Sequence, residues 1–405
     1  MERIFSKVYI TSKSEKSVRG GHPWVYAEEV AEIIGEPQNG DLVDVQNNKG
    51  KYLGSGFYND NSKIRVRIIS RNANDKFDRV FYQRRIRYAL EYRKTVMADD
   101  FLCCRLIFGE ADCFPGLTVD RFNDILVVQV LSLGIEKIKN MLYELLVSEL
   151  EKMGEHISAI YERNDVNIRE LEGMEQYKGF WSSLQNDLSG VTEITENGLT
   201  FSVDYINGQK TGFFLDQKYN RAAIRRIAKG RTVLDCFTHT GAFALNAAAA
   251  GAKLVNAVDI SADAIEMTKH NAELNGLAEN MRFTCANVFD LLTELYRTRN
   301  SPYDFIILDP PAFTKSKSTV KDAFRGYKEI NLKAMRLLNR GGYLATCSCS
   351  HFMTESLFKQ MLHDAAADAD VSLRQIEARR QSPDHPILWN VPETDYLKFY
   401  IFQVV

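Results

Sequence analysis

The 405-residue sequence lacks several features that would assign it to a class at once. Its seven cysteines form no CxxC pair and no zinc-ribbon spacing, which argues against a disulfide framework and favours a reducing compartment. No apolar run is long enough to span a membrane, and the first residues show no signal-peptide pattern. The length predicts two or three domains. We therefore expect a cytoplasmic protein with no metal site and no membrane association.

A large excess of charge of either sign is also missing, since the formal net charge is −2. Contact with nucleic acid would therefore have to come from a local basic patch. Between Lys63 and Lys94, eleven basic residues face only three acidic ones, and the alternation at 64–69 puts Lys63, Arg65 and Arg67 on one face of a strand. Phosphate-backbone contact and a solvated helix face explain this stretch equally well, and both interpretations stay open.

The pattern of elements divides the chain into three segments. Residues 1–72 contain short alternating strands and turns, which predict a small β-barrel. Residues 73–190 predict a helix at about 75–96, several strands and an amphipathic helix at 135–153, which together suggest a small α+β domain. Residues 191–405 alternate strands with helices of 10–15 residues, the pattern of an α/β domain with a parallel sheet.

The third segment begins its sheet with a nucleoside-binding pattern. A strand at 232–236 runs into a turn with Gly241 at a helix start, and the second strand ends at Asp259, eighteen residues later. Gly241 lets the backbone approach a ligand, and the Asp259 carboxylate can accept from both ribose hydroxyls. The single glycine, in place of G-x-G-x-x-G, favours a cofactor without phosphate such as S-adenosylmethionine. The third strand ends before Asn287, whose amide suits an adenine edge.

Two later strands deliver the groups that are suited to chemistry. The strand at 305–308 leads into Asp309, Pro310 and Pro311, where the prolines stiffen the loop and aim the carboxylate into the crevice. The strand that follows Gly341-Gly342 carries Cys347 and Cys349 near its end. A thiol at such an edge is a candidate nucleophile, although small buried cysteines are the more frequent finding. We expect Cys347 to lie deeper on the same face and to pack in the core.

Together these motifs resemble the PUA-domain-containing class I methyltransferases that make 5-methylcytosine in large-subunit ribosomal RNA. The resemblance covers nearly the whole chain. It implies a PUA-like RNA-binding β-barrel, S-adenosylmethionine as cofactor and Cys349 as nucleophile, preferred over Cys347 by motif position. The family often has an acid where Asn287 stands, and the Pro-Pro loop here has no cysteine, so the group that assists product release is unassigned. The matching motifs are 19–24 (RGGHPW), 211–217 (TGFFLDQ), 309–313 (DPPAF), 325–331 (RGYKEIN) and 348–350 (SCS).

We therefore expect a Rossmann-like methyltransferase domain at 191–405, preceded by a PUA-like barrel at 1–72 and an α+β domain at 73–190. RNA is the expected partner, and a homodimer stays open. The predicted catalytic residues are Cys349 and Asp309. The predicted cofactor-binding residues are Phe214, Gln217, Asp235, Phe237, Gly241, Asp259, Asn287, Asp309 and Pro310. The predicted RNA-binding residues are Arg19, His22, Lys63, Arg65, Arg67, Arg84 and Arg85.

Two alternatives remain beside this hypothesis. An RNA guanine methyltransferase would share the nucleoside-binding half and the Asp309-Pro310-Pro311 loop, with both thiols in the core. A non-catalytic RNA-binding protein would retain the fold without binding the cofactor. The presence of Asp235, Gly241, Asp259 and Asp309 argues against the second alternative.

Overall fold

A computed structural model describes residues 4–184, 188–298 and 301–405, and the chain forms two compact units. The expected boundary near residue 190 lies close to the first change of unit, and both of the segments predicted before it belong to the first unit. The division into three domains stays a prediction. The first unit contains Met1–Thr192, Val203–Leu215 and Pro383–Thr394, and the second contains Glu193–Ser202, Asp216–Ser382 and Asp395–Val405.

The first sheet of the first unit has six strands in the order β2-β6-β5-β4-β1-β3. Only β1 and β4 pair in parallel. Alternating apolar residues such as Val8, Ile10, Val43, Val45 and Val66 are buried in one core. The elements are β1 (Ser6–Ile10), α1 (Ser12–Arg19), β2 (Trp24–Tyr26), β3 (Val30–Ile34), β4 (Leu42–Asn47), β5 (Tyr52–Tyr58) and β6 (Ile64–Ser70).

The second sheet of this unit has five strands in the order β11-β10-β9-β8-β7. β9 and β10 are parallel because the helix α3 makes the long connection between them. The helices at 79–97 and 133–152 agree with the expected helices within four residues. The elements are α2 (Arg79–Met97), β7 (Cys103–Phe108), β8 (Leu117–Phe122), β9 (Ile125–Val130), α3 (Leu133–Lys152), β10 (Ala159–Asn164), α4 (Ile168–Leu171) and β11 (Tyr177–Phe180).

The second unit contains a seven-stranded sheet in the order β16-β15-β14-β17-β18-β20-β19. A hairpin of β12 and β13 precedes the sheet in the chain. The elements are β12 (Val191–Glu196), β13 (Leu199–Asp204), α5 (Lys218–Ala228), β14 (Thr232–Cys236), α6 (Ala242–Ala249), β15 (Leu254–Asp259), α7 (Ala262–Leu274), β16 (Met281–Cys285), α8 (Val288–Thr298), β17 (Phe305–Leu308), α9 (Val320–Leu337), β18 (Tyr343–Ser348), α10 (Glu355–Ala369), β19 (Leu373–Arg379) and β20 (Lys398–Val404).

The direction of these strands creates the functional edge. β16, β15, β14, β17 and β18 are parallel, so their carboxyl ends meet on one side of the sheet, whereas β20 runs antiparallel to β18. From β14 the chain continues to β15, towards one edge of the sheet, and from β17 it continues to β18, towards the other edge. The gap between β14 and β17 is therefore the point where the strand order reverses, and ligands bind at such a point in open α/β sheets. All four residues of β17 are buried, as expected of a strand covered on both faces. No helix in the described ranges is long and apolar enough to cross a membrane.

Candidate active site

The carboxyl end of β14 holds a buried acid, Asp235. Thr238 Oγ1 donates to Asp235 Oδ2 at 2.5 Å, while the buried Oδ1 accepts no hydrogen bond from the described residues. Burial, assisted by the nearby Asp309 and Asp259, raises the pKa of Asp235 to about 7. An orphaned buried oxygen is costly, so it indicates an acceptor intended for a ligand. This geometry fits the polar groups of a nucleoside cofactor.

The turn after β14 brings its backbone close to the second strand. Gly241 has a φ of 84°, and a Cβ at this position would lie 2.6 Å from Thr268 Cγ2, so no other residue fits without displacement. The Asp259 carboxylate accepts from the backbone N–H groups of His239 (2.9 Å) and Ser261 (3.0 Å). Asp259, at the end of β15, therefore fixes the turn that follows β14. The remaining lone pairs of its carboxylate are suited to ribose hydroxyls.

The other predicted nucleoside contacts are more exposed. Asn287 is exposed, and its Oδ1 accepts from the backbone N–H of Phe289 at 2.9 Å at the start of α8. The ring of Phe237 lies 6.5 Å from that of Phe313. Phe214 belongs to the first unit, where Lys210 Nζ lies 4.9 Å from its ring, and its cofactor role stays a prediction.

Asp309, Gln217 and Cys347 form what we call the acid–thiol cluster, at the ends of β17 and β18. Asp309 Oδ1 lies 3.0 Å from Gln217 Nε2 and 3.1 Å from Cys347 Sγ, and both groups donate to it. Asn220 Nδ2 donates to Gln217 Oε1 at 2.7 Å and so fixes the amide. Burial raises the pKa of Asp309 to about 6, although the hydrogen bond from Cys347 opposes this shift. The carboxyl group can therefore change protonation state near neutral pH.

The structure corrects the expectation that Cys347 only packs. Cys347 is fully buried, as expected, but its thiol bonds Asp309 and also lies 3.2 Å from the backbone oxygen of Leu308. Burial, together with the negative charge of Asp309, raises the pKa of Cys347 well above its ordinary value. A thiol held in its protonated form is a hydrogen-bond donor and a poor nucleophile.

Cys349 occupies a different environment, one residue beyond the end of β18. It is partly exposed, and the residues on either side of it are buried and fixed. Ser348 Oγ donates to the hydroxyl of Tyr327 at 3.0 Å, and Ser350 Oγ donates to the backbone oxygen of Thr314 at 2.8 Å. The ring of Tyr327 in turn lies 4.5 Å from that of Phe313. The three motifs at 309–313, 325–331 and 348–350 therefore meet through Phe313, Tyr327 and Ser348, the residue before Cys349. Pro310, in the first of these motifs, is buried.

The predicted RNA-binding set needs one correction. Arg67 is buried, with its guanidinium 2.7 Å from Glu172 and 3.6 Å from Glu110, so it cannot reach a phosphate from this position. Arg65 forms an ion pair with Asp60, and Arg84 lies 3.1 Å from Asp75. The alternation along β6 therefore does not produce a continuous basic face.

The remaining members of that set lie at or near the surface. Lys63 is exposed, and the guanidinium of Arg85 lies 4.9 Å from the ring of Phe81. Arg19 Nη2 lies 2.6 Å from Glu15, and His22 Nε2 lies 3.1 Å from Glu393, whose hydrogen bond raises the pKa of His22. These residues stay predicted RNA contacts.

The excess of eight positive charges that the sequence carries between residues 63 and 94 is partly balanced at the surface of the folded chain. Acids from distant parts of the chain pair with these residues. Arg79 lies 2.9 Å from Glu144, Arg87 lies 2.9 Å from Glu149, and Arg93 is fully buried against Asp112. These contacts favour the interpretation of α2 as a helix paired with its neighbours over that of one phosphate-binding stripe.

Sequence reasoning missed a further charged residue beside Cys349. Lys398 is the first residue of β20, is 2% exposed, and pairs in register with Ser348. Its Nζ donates to the backbone oxygen of Ser350 at 2.6 Å. The available signal was a lysine at the start of an otherwise apolar strand, because lysine is almost never buried without a partner.

The fold and the edge residues together define a Rossmann-like domain of the class that binds a nucleoside cofactor, in which Asp235, Gly241 and Asp259 are the predicted contacts. Comparison with known families agrees with this class. Residues 8–71 match the family described as PUA-like domain, and residues 104–402 match the family described as S-adenosylmethionine-dependent methyltransferase. The chain therefore belongs to the S-adenosylmethionine-dependent methyltransferase family. The predicted fold class, enzyme class and cofactor are confirmed.

Curated relatives match over the full length. A protein of Pseudoalteromonas translucida (strain TAC 125) is 40% identical over 402 residues, which cover 98% of this chain and 99% of the relative. A protein of Klebsiella pneumoniae (strain 342) is 38% identical, with complete coverage of both chains. Both of these relatives carry the name ribosomal RNA large subunit methyltransferase I.

Solved structures support the fold. A chain from Streptococcus mutans assigned as a SAM-dependent methyltransferase aligns with a TM-score of 0.82 at 21% identity, covering 98% of this chain and all of that one. SMU.776, an assigned methyltransferase crystallised with SAH, aligns with a TM-score of 0.83 at the same identity and coverage. At this level of identity, the likeness concerns the fold.

Proposed function

We propose that this enzyme methylates C5 of a cytosine in large-subunit ribosomal RNA, with Cys349 as the nucleophile. The names of the full-length relatives and the PUA-like domain support ribosomal RNA as the substrate. The choice of cytosine rests on one observation, which is the partly exposed Cys349 just past the end of β18, the strand that pairs with β17, which ends before Asp309. Methylation of a guanine nitrogen would not require a nucleophilic thiol at this position.

The residues at the edge suit the cofactor in distinct ways. S-adenosylmethionine, when bound, supplies an electrophilic methyl group. Asp235 and Asp259 would accept hydrogen bonds from its polar groups, and Gly241 would allow close approach of the backbone. The other residues that we assign to cofactor binding are Phe214, Gln217, Phe237, Asn287, Asp309 and Pro310.

The nucleophile makes the ring reactive. The Cys349 thiolate forms a bond to C6, and the electron pair of the C5–C6 double bond moves to C5. C5 then takes up the methyl group as the bond between that group and the cofactor sulfur breaks, which leaves S-adenosylhomocysteine. Asp309 in its protonated form donates a hydrogen bond to the polar edge of the ring and stabilises the charge that develops there. A pKa of about 6 leaves this form accessible at neutral pH.

Product release reverses the addition. A base removes the proton from C5, the electron pair returns to the ring, and the bond from C6 to Cys349 Sγ breaks, so that the thiolate is regenerated. The base is not assigned among the residues of the site. The target cytosine has to lie in a single strand or be turned out of a duplex to reach Cys349.

The cellular setting is part of the same proposal. Ribosomal RNA as substrate and seven free thiols support action in the cytoplasm. A homodimer stays a prediction.

Nucleoside analysis tests the choice of base most directly. Large-subunit RNA from cells without the enzyme is incubated with the enzyme and methyl-labelled cofactor, digested to nucleosides and separated. We expect the label in 5-methylcytidine. Label in a methylated guanosine would overturn the proposal and favour the guanine alternative, and the absence of label with intact cofactor binding would favour a non-catalytic protein.

A further inference from the structure

Lys398 is a buried cation that the chemistry above does not use. Its ammonium donates to the backbone oxygens of Ser350 (2.6 Å) and Tyr396 (2.8 Å). In the described part of the chain, no carboxylate forms an ion pair with it, so its two acceptors are neutral. Burying an ammonium between carbonyl oxygens is costly, and such a cost is retained where the charge has a use.

The position of Lys398 relative to Cys349 is fixed from two sides. Ser348 pairs with Lys398 in the antiparallel register of β18 and β20, and Ser350 receives the hydrogen bond from Lys398 Nζ. Cys349 lies between these two residues, and a negative charge on its thiol would raise the pKa of Lys398. The ammonium is therefore within electrostatic reach of the thiol that needs to ionise.

We propose that Lys398 is a positioning residue that stabilises the thiolate of Cys349 and holds the turn at 348–350 in its reactive geometry. This inference rests on the proposed function, because it gives Lys398 a role through the nucleophile. An adjacent cation lowers the pKa of a cysteine and so raises its thiolate fraction at neutral pH.

Other charged groups near Lys398 are already paired with one another. Glu355 bonds Lys359 at 2.9 Å and also pairs with Arg380, and Arg380 lies 3.4 Å from Asp395. Burial lowers the pKa of Lys398 to about 8, with Cys349, Asp395 and Glu355 opposing this shift and Arg380 adding to it. The ammonium therefore stays mostly protonated at neutral pH, and Cys349 is the ionisable group at the edge that its charge would serve.

The test measures the pH dependence of alkylation of Cys349 by iodoacetamide, followed by mass spectrometry of its peptide. The full-length wild type is compared with Lys398→Met, which removes the charge, and Lys398→Arg, which retains it. The exposed Cys113 and Cys285 report in the same samples as internal controls. We expect Lys398→Met to raise the midpoint for Cys349 by about one pH unit and to slow methyl transfer by about tenfold or more, while Lys398→Arg retains the lower midpoint.

An unchanged Cys349 midpoint in folded Lys398→Met would overturn the proposal. If that variant does not fold, the wild type still decides, because a Cys349 midpoint at or above about 8.5, the ordinary value for a thiol, contradicts the role of Lys398. The alkylation of Cys349 is measured without methyl transfer, so it tests Lys398 independently of the proposed function. Full methylation by Cys349→Ala would instead refute the proposed function, so the two failures are distinguishable.

Discussion

Cys347 and Cys349 lie two residues apart, but their surroundings make them chemically different. Cys347 is fully buried at the end of β18 and donates to Asp309, so its proton is retained. Cys349 lies just past the strand, is partly exposed, and has the ammonium of Lys398 bonded to the next residue. For two residues of the same type, the position relative to the end of the strand therefore distinguishes a buried hydrogen-bond donor from the partly exposed thiol that we propose as the nucleophile.

The largest effect should separate the two thiols. We expect Cys349→Ala to reduce methyl transfer by at least about 1000-fold, because Cys349 is the group that we propose forms the bond to C6. Binding of the cofactor, measured by calorimetry, should persist. Cys347→Ala is the matched control and should retain most activity. Equal losses in both variants would remove the distinction between them.

The next effect concerns the partner of Cys347. Asp309→Asn should lower kcat by about 100-fold, since an amide cannot supply the acidic proton that stabilises charge on the ring. Single-turnover methylation of the same RNA measures this step. A variant with wild-type kcat would exclude Asp309 from the chemistry and leave it a structural acceptor for Cys347 and Gln217.

The same substitution should change the pH dependence of stability. Asp309 has a pKa of about 6 in the folded protein, above its ordinary 3.8, so the folded state binds the proton more tightly. Its contribution therefore falls as pH rises from about 4 to about 6, by at most about 3 kcal/mol. Asp309→Asn should gain stability relative to wild type across this window, as measured by chemical denaturation at pH 4 and pH 7. A constant difference would contradict the raised pKa.

The smallest effect should come from Cys347 itself. Cys347→Ala removes a donor to Asp309, which should raise the pKa of that carboxyl group. The pH profile of kcat should then move to higher pH, and kcat at neutral pH should change by about two- to fivefold. Cys347→Ser keeps a donor and should move the profile less. Identical profiles for wild type and both variants would show that the bond from Cys347 has no influence on Asp309.

Sequence reasoning located the reactive edge because the signals there are local. Asp309 directly follows the buried strand β17, and Cys349 follows β18, so strand ends alone place both residues on one side of a parallel sheet. The hydrogen bonds of Cys347 were not accessible in this way. One of them comes from Gln217, which lies 130 residues earlier in the chain and shows no periodicity that links it to β18.

The same limit explains the two other differences. Lys398 lies beside the turn at 348–350 through the antiparallel pairing of β20 with β18, a register that no short motif encodes. The charge count along α2 overstated the net positive charge at the surface of this helix, because Glu144 and Glu149, on α3, approach α2 only in the folded chain. Local patterns predicted which residues stand at strand ends, whereas pairing between distant segments determined their charge and hydrogen bonding.

We propose that the bond to the cytosine ring is formed by Cys349 and not by Cys347. RNA in which the target cytosine carries fluorine at C5 tests it directly, because the missing C5 proton prevents release of the enzyme. With cofactor present, we expect a covalent complex of one enzyme molecule with one RNA molecule. After digestion of the protein, the nucleotide should be attached to Cys349. Attachment to Cys347, or full methylation of normal RNA by an enzyme that forms no such complex, would contradict the account.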